Sequence, residues 1–400
     1  MPRAPAAIGL VALGVLELAA PGPARGSDPE IARALLAALP GDGRTDVVVV
    51  DRPSVPGAPR VRGATRVNAP PEAVRAALLD AAHYGAVIPS VVKSEVRPGD
   101  AAVPYVEWEL EVPLFNLSGR FALRAAGDQV RLDLFDGDFA PGHLVFTIAA
   151  AAGGGTTLLI DASMDMRRSS WILRRILKRS LYGEPAALAA AAYVALRGVA
   201  LRAEHPKAAR TWRPTDPPGA PADWQPDARA LAADGLAPAR AAGVVILIAR
   251  RPDERLAGVA AGVAVSRPPA AIEPALRDPE TWRLFPGLRK VQLLPGPGGP
   301  RVRVEDNLPL MDLDATYAPQ SDTRWIAVDG ATRGARLGWT VVPQGARAAT
   351  LALSSYPRLE ATGSVARRFM AAEPLLEPGL ALAVAFANVA SVGVALDPPH

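Results

Sequence analysis

The chain has 400 residues, half of them hydrophobic, with 44 basic and 40 acidic residues and no cysteine. That length suits two domains with sizeable cores. A net charge of +4 is too weak to argue for a nucleic-acid partner, and the lack of cysteine excludes disulfides, thiolate metal sites and cysteine nucleophiles.

At the N-terminus Arg3 precedes an apolar run over residues 8–20, and small residues and prolines follow it. A charged start, a short apolar centre and small residues at Ala20 or Ala24 read as a secretory signal peptide over residues 1–26. The mature chain is therefore expected to be exported, periplasmic or secreted; the alternative is a chain anchored in a membrane by an uncleaved signal. No other stretch reaches 18 uninterrupted strongly apolar residues, so the mature chain is expected to be soluble.

Residues 31–39 form an amphipathic helix ended by Pro40 and Gly41, and residues 46–51 read as a short strand. Pro70 or Pro71 suits the first turn of a helix, where a missing N–H costs nothing. Val74, Leu78 and Leu79 then share one face, and Tyr84 and Pro89 return the chain to extended geometry. From residue 91 to residue 166 the pattern alternates. Val106, Trp108, Leu110 and Val112 oppose Glu107, Glu109 and Glu111, and Leu117, Phe121 and Leu123 oppose Arg120 and Arg124. Such alternation predicts an antiparallel meander with one apolar and one solvated face. Two apolar-periodic helical segments follow, residues 169–181 and 184–203, placed to cover the apolar face. Residues 206–240 are a proline-rich linker, helical in part.

The second half repeats the first. Residues 66–96 are echoed by residues 263–294, VVVVDRP at 47–53 by ILIARRP at 246–252, VPLFNL at 112–117 by LPLMDL at 308–313, and residues 183–201 by residues 376–396. Matches at both ends and in the middle predict a duplicated unit of about 160 residues, too long for a solenoid repeat. The expected organisation is signal peptide 1–26, domain one 45–205, linker 206–240 and a diverged domain two 241–397.

Candidate chemistry is sparse. His83, His143, His205 and His400 share no metal-ligand spacing, so no metal and no cofactor is expected. Glu107, Glu109 and Glu111 read as cross-strand partners of Arg120 and Arg124 on a solvated face. Ser169, Ser170, Ser354 and Ser355 lack a nucleophile context, and residues 295–300 are a turn cluster. The apolar face is more informative. Trp108, Leu110, Phe121, Leu123, Leu132, Leu134, Phe146, Ile148 and Ile160 point toward a helix built of Ala, Leu and Gly, with Val302, Val304, Tyr317, Trp339, Val341, Leu351 and Leu353 as counterparts. Large residues opposite small ones either pack tightly or leave space. Arg167, Arg168, Arg174, Arg175, Lys178 and Arg179, interleaved with Trp171, make a basic amphipathic segment that suits an anionic membrane surface.

The order strand, short helices, antiparallel strands, long helix, together with V-N-A-P-P-E-A-V, L-L-D, Tyr84 and I-P-S-V-V-K-S over residues 67–94, resembles the START-like (SRPBCC) superfamily, in its coenzyme Q-binding and polyketide cyclase/dehydrase type. The resemblance covers most of residues 63–204. The second copy keeps Pro268, Pro269, Asp278 and Pro286 but has Trp282 in place of Tyr84. The resemblance implies an α+β protein of two helix-grip domains, each a curved sheet wrapped on a long C-terminal helix around a cavity. It implies a hydrophobic small molecule or lipid as ligand, lined by Tyr84, Trp108, Leu110, Phe121, Leu123, Leu134, Phe146, Ile148, Tyr193, Trp282, Tyr317 and Trp339. The favoured activity is non-catalytic binding or transport. The alternatives are a polyketide cyclase/aromatase-like enzyme and a protein-interaction scaffold.

Overall fold

The structure is a computed structural model, and it describes residues 29–41, 43–51, 58–86, 88, 91–99, 104–112, 115–151, 153–169, 174, 177, 182–206, 228–286, 288–306, 314–359 and 375–398. The signal-peptide reading, His400, Trp171, Arg175, Lys178, Arg179 and most of residues 206–240 lie outside them.

Helix α1 (Pro29–Ala38) precedes the hairpin of β1 (Thr45–Asp51) and β2 (Arg60–Val67). Helix α2 (Pro71–Leu79) starts with Pro70 at its N-cap and Pro71 in its first turn, the place where proline's fixed φ helps. A 3-10 turn (Ala81–Ala86) leads into the meander β3 (Val91–Arg97), β4 (Tyr105–Val112), β5 (Phe115–Ala126), β6 (Gln129–Gly137), β7 (Gly142–Ala150) and β8 (Thr156–Met164). The half closes with the long helix α3 (Gly183–Glu204). After two 3-10 turns and α4 (Ala237–Ala242), the order recurs: β9 (Gly243–Arg250), β10 (Leu256–Val265), α5 (Pro269–Arg277), a 3-10 turn (Pro279–Leu284), β11 (Leu288–Leu294), β12 (Arg301–Asp306), β13 (Asp314–Ser321), β14 (Arg324–Gly330), β15 (Arg336–Pro343), β16 (Ala349–Tyr356) and α6 (Leu376–Leu396).

The sixteen strands among the described residues join in one antiparallel sheet, in the order β11-β12-β13-β14-β15-β16-β10-β9-β1-β2-β8-β7-β6-β5-β4-β3. The halves meet where β1 pairs with β9, from Thr45 opposite Ala249 to Asp51 opposite Gly243. The α+β class expected from the sequence is what the structure has.

The long helices lie side by side on one face of the sheet. A Cβ on Gly379 would sit 3.1 Å from Val194 Cγ2, so glycine lets α6 approach α3 there. At the other end Tyr182 meets Phe386 edge-on at 6.0 Å and bonds to the Ala390 carbonyl at 3.4 Å. These contacts pair the start of each helix with the later part of the other, so the helices run antiparallel. By length and composition both helices can cross a membrane, which the sequence reading did not anticipate. Here 67% of the apolar window of α3 and 50% of that of α6 is buried, against the sheet and against each other.

One inner core runs through both halves beneath these helices. A second, outer core lies on the opposite face of the central strands. There Ile31, Leu35, Leu231, Leu236 and Ala239 cover Val47, Val49, Ala64, Leu159, Val245, Leu247 and Ala260. The expected solvated face therefore holds only toward the outer strands. Near the centre β8 is buried along both faces, because α1 and the turns before α4 form a third layer.

The sequence match of residues 47–53 with 246–252 is also displaced by one position within the strand. It superposes Val47 on Ile246, yet Val47 belongs to the outer core and Ile246 to the inner core. A slip of one residue exchanges the faces of a strand, so the match is out of face although the shared Arg-Pro directly follows the last residue of both β1 and β9.

Candidate functional site

The apolar residues that alternate along β4 to β8 do converge. Tyr84, Trp108, Phe121, Leu134, Phe146, Ile148, Tyr193, Trp282 and Trp339 are buried in the inner core, with Leu110, Leu123 and Tyr317 packed against it, part-buried. Opposite them α3 and α6 present small residues, among them Ala189, Ala192, Ala200, Ala381 and Ala385.

In the first half the aromatic rings form separate pairs. Tyr84 stacks on Phe121 with centroids 6.0 Å apart, and its hydroxyl donates to the Leu78 carbonyl. Burial pushes the Tyr84 phenol far above its ordinary range, with Asp80 adding to the shift. Trp108 lies nearly parallel to Phe139, 5.8 Å away. Gly119 is its cross-strand neighbour, and a Cβ there would come within 2.9 Å of Trp108 Cζ2, so the indole needs glycine opposite it. The Trp108 Nε1–H is buried and has no hydrogen-bond partner among the described residues.

In the second half the rings form a continuous mesh. Trp282 contacts Phe285 at 5.2 Å, Tyr317 at 4.6 Å and Trp325 at 5.6 Å, and Phe285 continues to Trp339 at 5.9 Å. Trp325, Phe285 and Phe139 were not singled out from the sequence. The first two follow no alternating run with the others, and Phe139 sits in a turn before the cis Ala140–Pro141 bond.

Tyr193 is held by a polar cluster that the sequence reading missed. Its hydroxyl donates to Asp46 Oδ2 at 3.0 Å. Asp46 also accepts from Thr65 Oγ1 at 2.6 Å and from Arg250 Nε at 2.7 Å. Arg250 donates further to Glu254 at 2.5 Å, and Arg197 bridges Thr65 at 2.9 Å and Glu254 at 2.8 Å. The cluster lies on the inner face and joins β1, β2 and α3 of one half to the β9–β10 hairpin of the other. Burial alone would lower the Arg250 guanidinium, but Asp46, Tyr193 and Glu254 outweigh it and hold the group above its ordinary value. Burial, with Asp46 beside it, pushes Tyr193 well above the ordinary phenol range. A lone Asp before a valine run and a lone Arg in an Ala/Leu helix were the available signals, since buried charges come in pairs.

The remaining polar candidates sit elsewhere. Glu107 lies 3.5 Å from each of Arg120, Arg97 and Lys93 on the outer face, while Arg124 pairs with Asp133 at 4.0 Å instead of with a glutamate. His83 is exposed and bonds to Asp80 at 2.6 Å. Among the described residues no group of three His, Cys, Asp or Glu is placed to hold a metal ion. Arg174 is exposed; its basic neighbours in sequence lie outside the described residues.

His143 stands in a half-buried outer-face group with Arg131, Asp161, Arg60 and Asp133. Burial lowers its imidazole from the ordinary 6.5, and Arg131 adds to the effect. The unfolded chain then binds this proton more readily than the folded one, so stability falls as pH drops through the ordinary value and levels off below the folded one. His143→Asn should flatten the dependence of the urea midpoint between about pH 7 and about pH 5. An unchanged slope would remove His143 from this role.

No family model and no curated protein matches the chain. Similar solved structures include the di-domain ARO/CYC StfQ from the steffimycin biosynthetic pathway, at 11% identity over 82% of this chain and 97% of that one, TM-score 0.28. They include a START superfamily protein from Mycobacterium smegmatis, at 17% identity over 29% of this chain and 84% of that one, TM-score 0.25. A STAR-related lipid transfer protein from Xanthomonas axonopodis is similar at 18% identity over 40% of this chain and 96% of that one, TM-score 0.27. At such TM-scores a likeness does not establish a family, and the fold described above rests on this chain's own strand order and packing.

Proposed function

We propose that the chain is a non-catalytic binding or transport protein that holds a hydrophobic small molecule or lipid between the inner sheet face and the paired long helices. Two START-like helix-grip units, residues 45–205 and 241–397, would form it. The observation that carries this reading is the buried Trp108 N–H, left without a partner among the described residues. Leaving such a donor unpaired costs about 1–3 kcal/mol, and pockets for apolar ligands are built from apolar walls with a few placed polar groups. The sequence resemblance over residues 67–94 supports the same reading. Export through residues 1–26, and contact with anionic lipid through Trp171, Arg174, Arg175, Lys178 and Arg179, belong to this proposal.

An enzyme of the cyclase kind needs polar groups inside, and the Asp46 cluster is such a group. Its geometry favours a structural role: both Asp46 oxygens already accept hydrogen bonds, and the Tyr193 phenol is pushed away from ionisation.

Native mass spectrometry of the purified chain, followed by organic extraction, tests the binding reading. An apolar molecule is expected to co-purify and to be displaced by excess apolar ligand. A chain that carries nothing and binds no apolar dye would overturn it.

A further inference from the structure

The two halves differ in the part that matters for a ligand. Register places Trp108 opposite Gly119 in the first half and Val304 opposite Ala315 in the second. The second half therefore has no indole N–H at this position. It also fills its interior differently. Phe121 pairs with Leu134 as Tyr317 pairs with Ala327. Two residues before each, Leu132 of the first half stands where the second has Trp325. Trp325 then closes onto Trp282, which touches Tyr317 and Phe285 in turn. Rings at these separations already satisfy one another's preferred offset and edge contacts. The aromatic mesh is a core in its own right, whereas the first half keeps separate buried ring pairs, Tyr84 with Phe121 and Trp108 with Phe139, and the unpartnered Trp108 N–H.

From this, and resting on the binding function proposed above, we infer that the chain holds a single ligand, in its first half. The ligand is an apolar molecule carrying an oxygen acceptor, as in a ketone, ester or alcohol, which receives the Trp108 Nε1–H. The second half contributes its sheet, its helix and its share of the common core, and no binding site. A bare hydrocarbon fills the same space but leaves the indole N–H unpaired, so the acceptor should improve binding roughly tenfold.

The test compares 2-octanone with octane, titrated into the full chain labelled with 15N-tryptophan. The Trp108 indole resonance is identified by its loss in Trp108→Phe, a change that keeps a ring to stack on Phe139 and removes the donor together with part of the bicyclic ring. Thermal denaturation checks that this variant folds. Native mass spectrometry counts the bound molecules. The preference for the ketone over the alkane, in which any change of space common to both molecules cancels, is expected to fall roughly tenfold from the wild type to Trp108→Phe. Because solubility affects both proteins equally, it cancels in this comparison. Trp325→Phe in the second half should leave the preference unchanged, and one molecule should bind per chain. A preference that survives Trp108→Phe, an indole resonance that does not move with the ketone, or two molecules per chain would overturn the inference. If neither molecule binds, the proposed function itself fails, which is a separate result.

Discussion

Arg250→Ala is expected to destabilise the chain by about 3–5 kcal/mol, the usual cost of stripping one partner from a buried ion pair. The arginine is buried with Asp46 in the inner core at 2.7 Å, and it also holds the Gly43 carbonyl at 2.6 Å. Its loss leaves Asp46 with only the Thr65 and Tyr193 hydroxyls and leaves Glu254 to Arg197 alone. Both halves should weaken together, because the inner core is continuous across β1 and β9. Urea denaturation followed by tryptophan fluorescence and by circular dichroism should show one shifted transition. Two separated transitions, with one half unaffected, would mean that the cluster does not couple the halves. The pH response of this cluster is a different matter from that of His143, which lies on the opposite face of the sheet.

The second large effect is expected at the strand that joins the halves. A Cβ on Gly243 would fall 2.0 Å from the Val50 carbonyl oxygen and 2.8 Å from Asp51 Cα, both backbone atoms of β1. Backbone in a paired strand cannot swing aside as a side-chain tip can, so Gly243→Val must either open the end of the β1–β9 ladder or displace Val50. The expected loss is about 3 kcal/mol. Gly235→Ala, where nothing lies within 4 Å of the added methyl, should change stability by less than about 0.5 kcal/mol. Equal effects at the two glycines, read as thermal or urea midpoints, would show that the join tolerates separation.

Much of the fold was legible because alternation along a strand is a strong signal. The inward set from Trp108 to Ile160, and its counterparts from Val302 to Leu353, all reach the inner core. The prolines at 70 and 71 start a helix, as their fixed φ dictates. What stayed hidden depends on pairing across long sequence distances. Nothing local in DVVVVD says that the strand will find Gly243–Arg250, and therefore nothing says that it will be buried on both faces. The outer layer was hidden for the same reason: α1 reads as an ordinary amphipathic helix, and its partners around Leu231 and Leu236 come from a stretch that composition marks as linker. At the candidate site the large residues were visible as a pattern. The unpaired Trp108 N–H and the diversion of Tyr193 to Asp46 were not, since both are questions of which atom finds a partner in three dimensions.

The pairing of β1 with β9 reads the same from either side: Val47 faces Leu247, and Val48 faces Ile246. Two separate chains can join edge to edge in this way, but they part on dilution, because association between molecules follows mass action. Here both edges belong to one polypeptide, and the connecting residues hold each edge at a high effective concentration near the other. The join therefore persists at any protein concentration. One consequence concerns divergence. A half that needs only to present its edge strand and its share of helix is free to refill its interior with other side chains, as the second half does with the rings around Trp282.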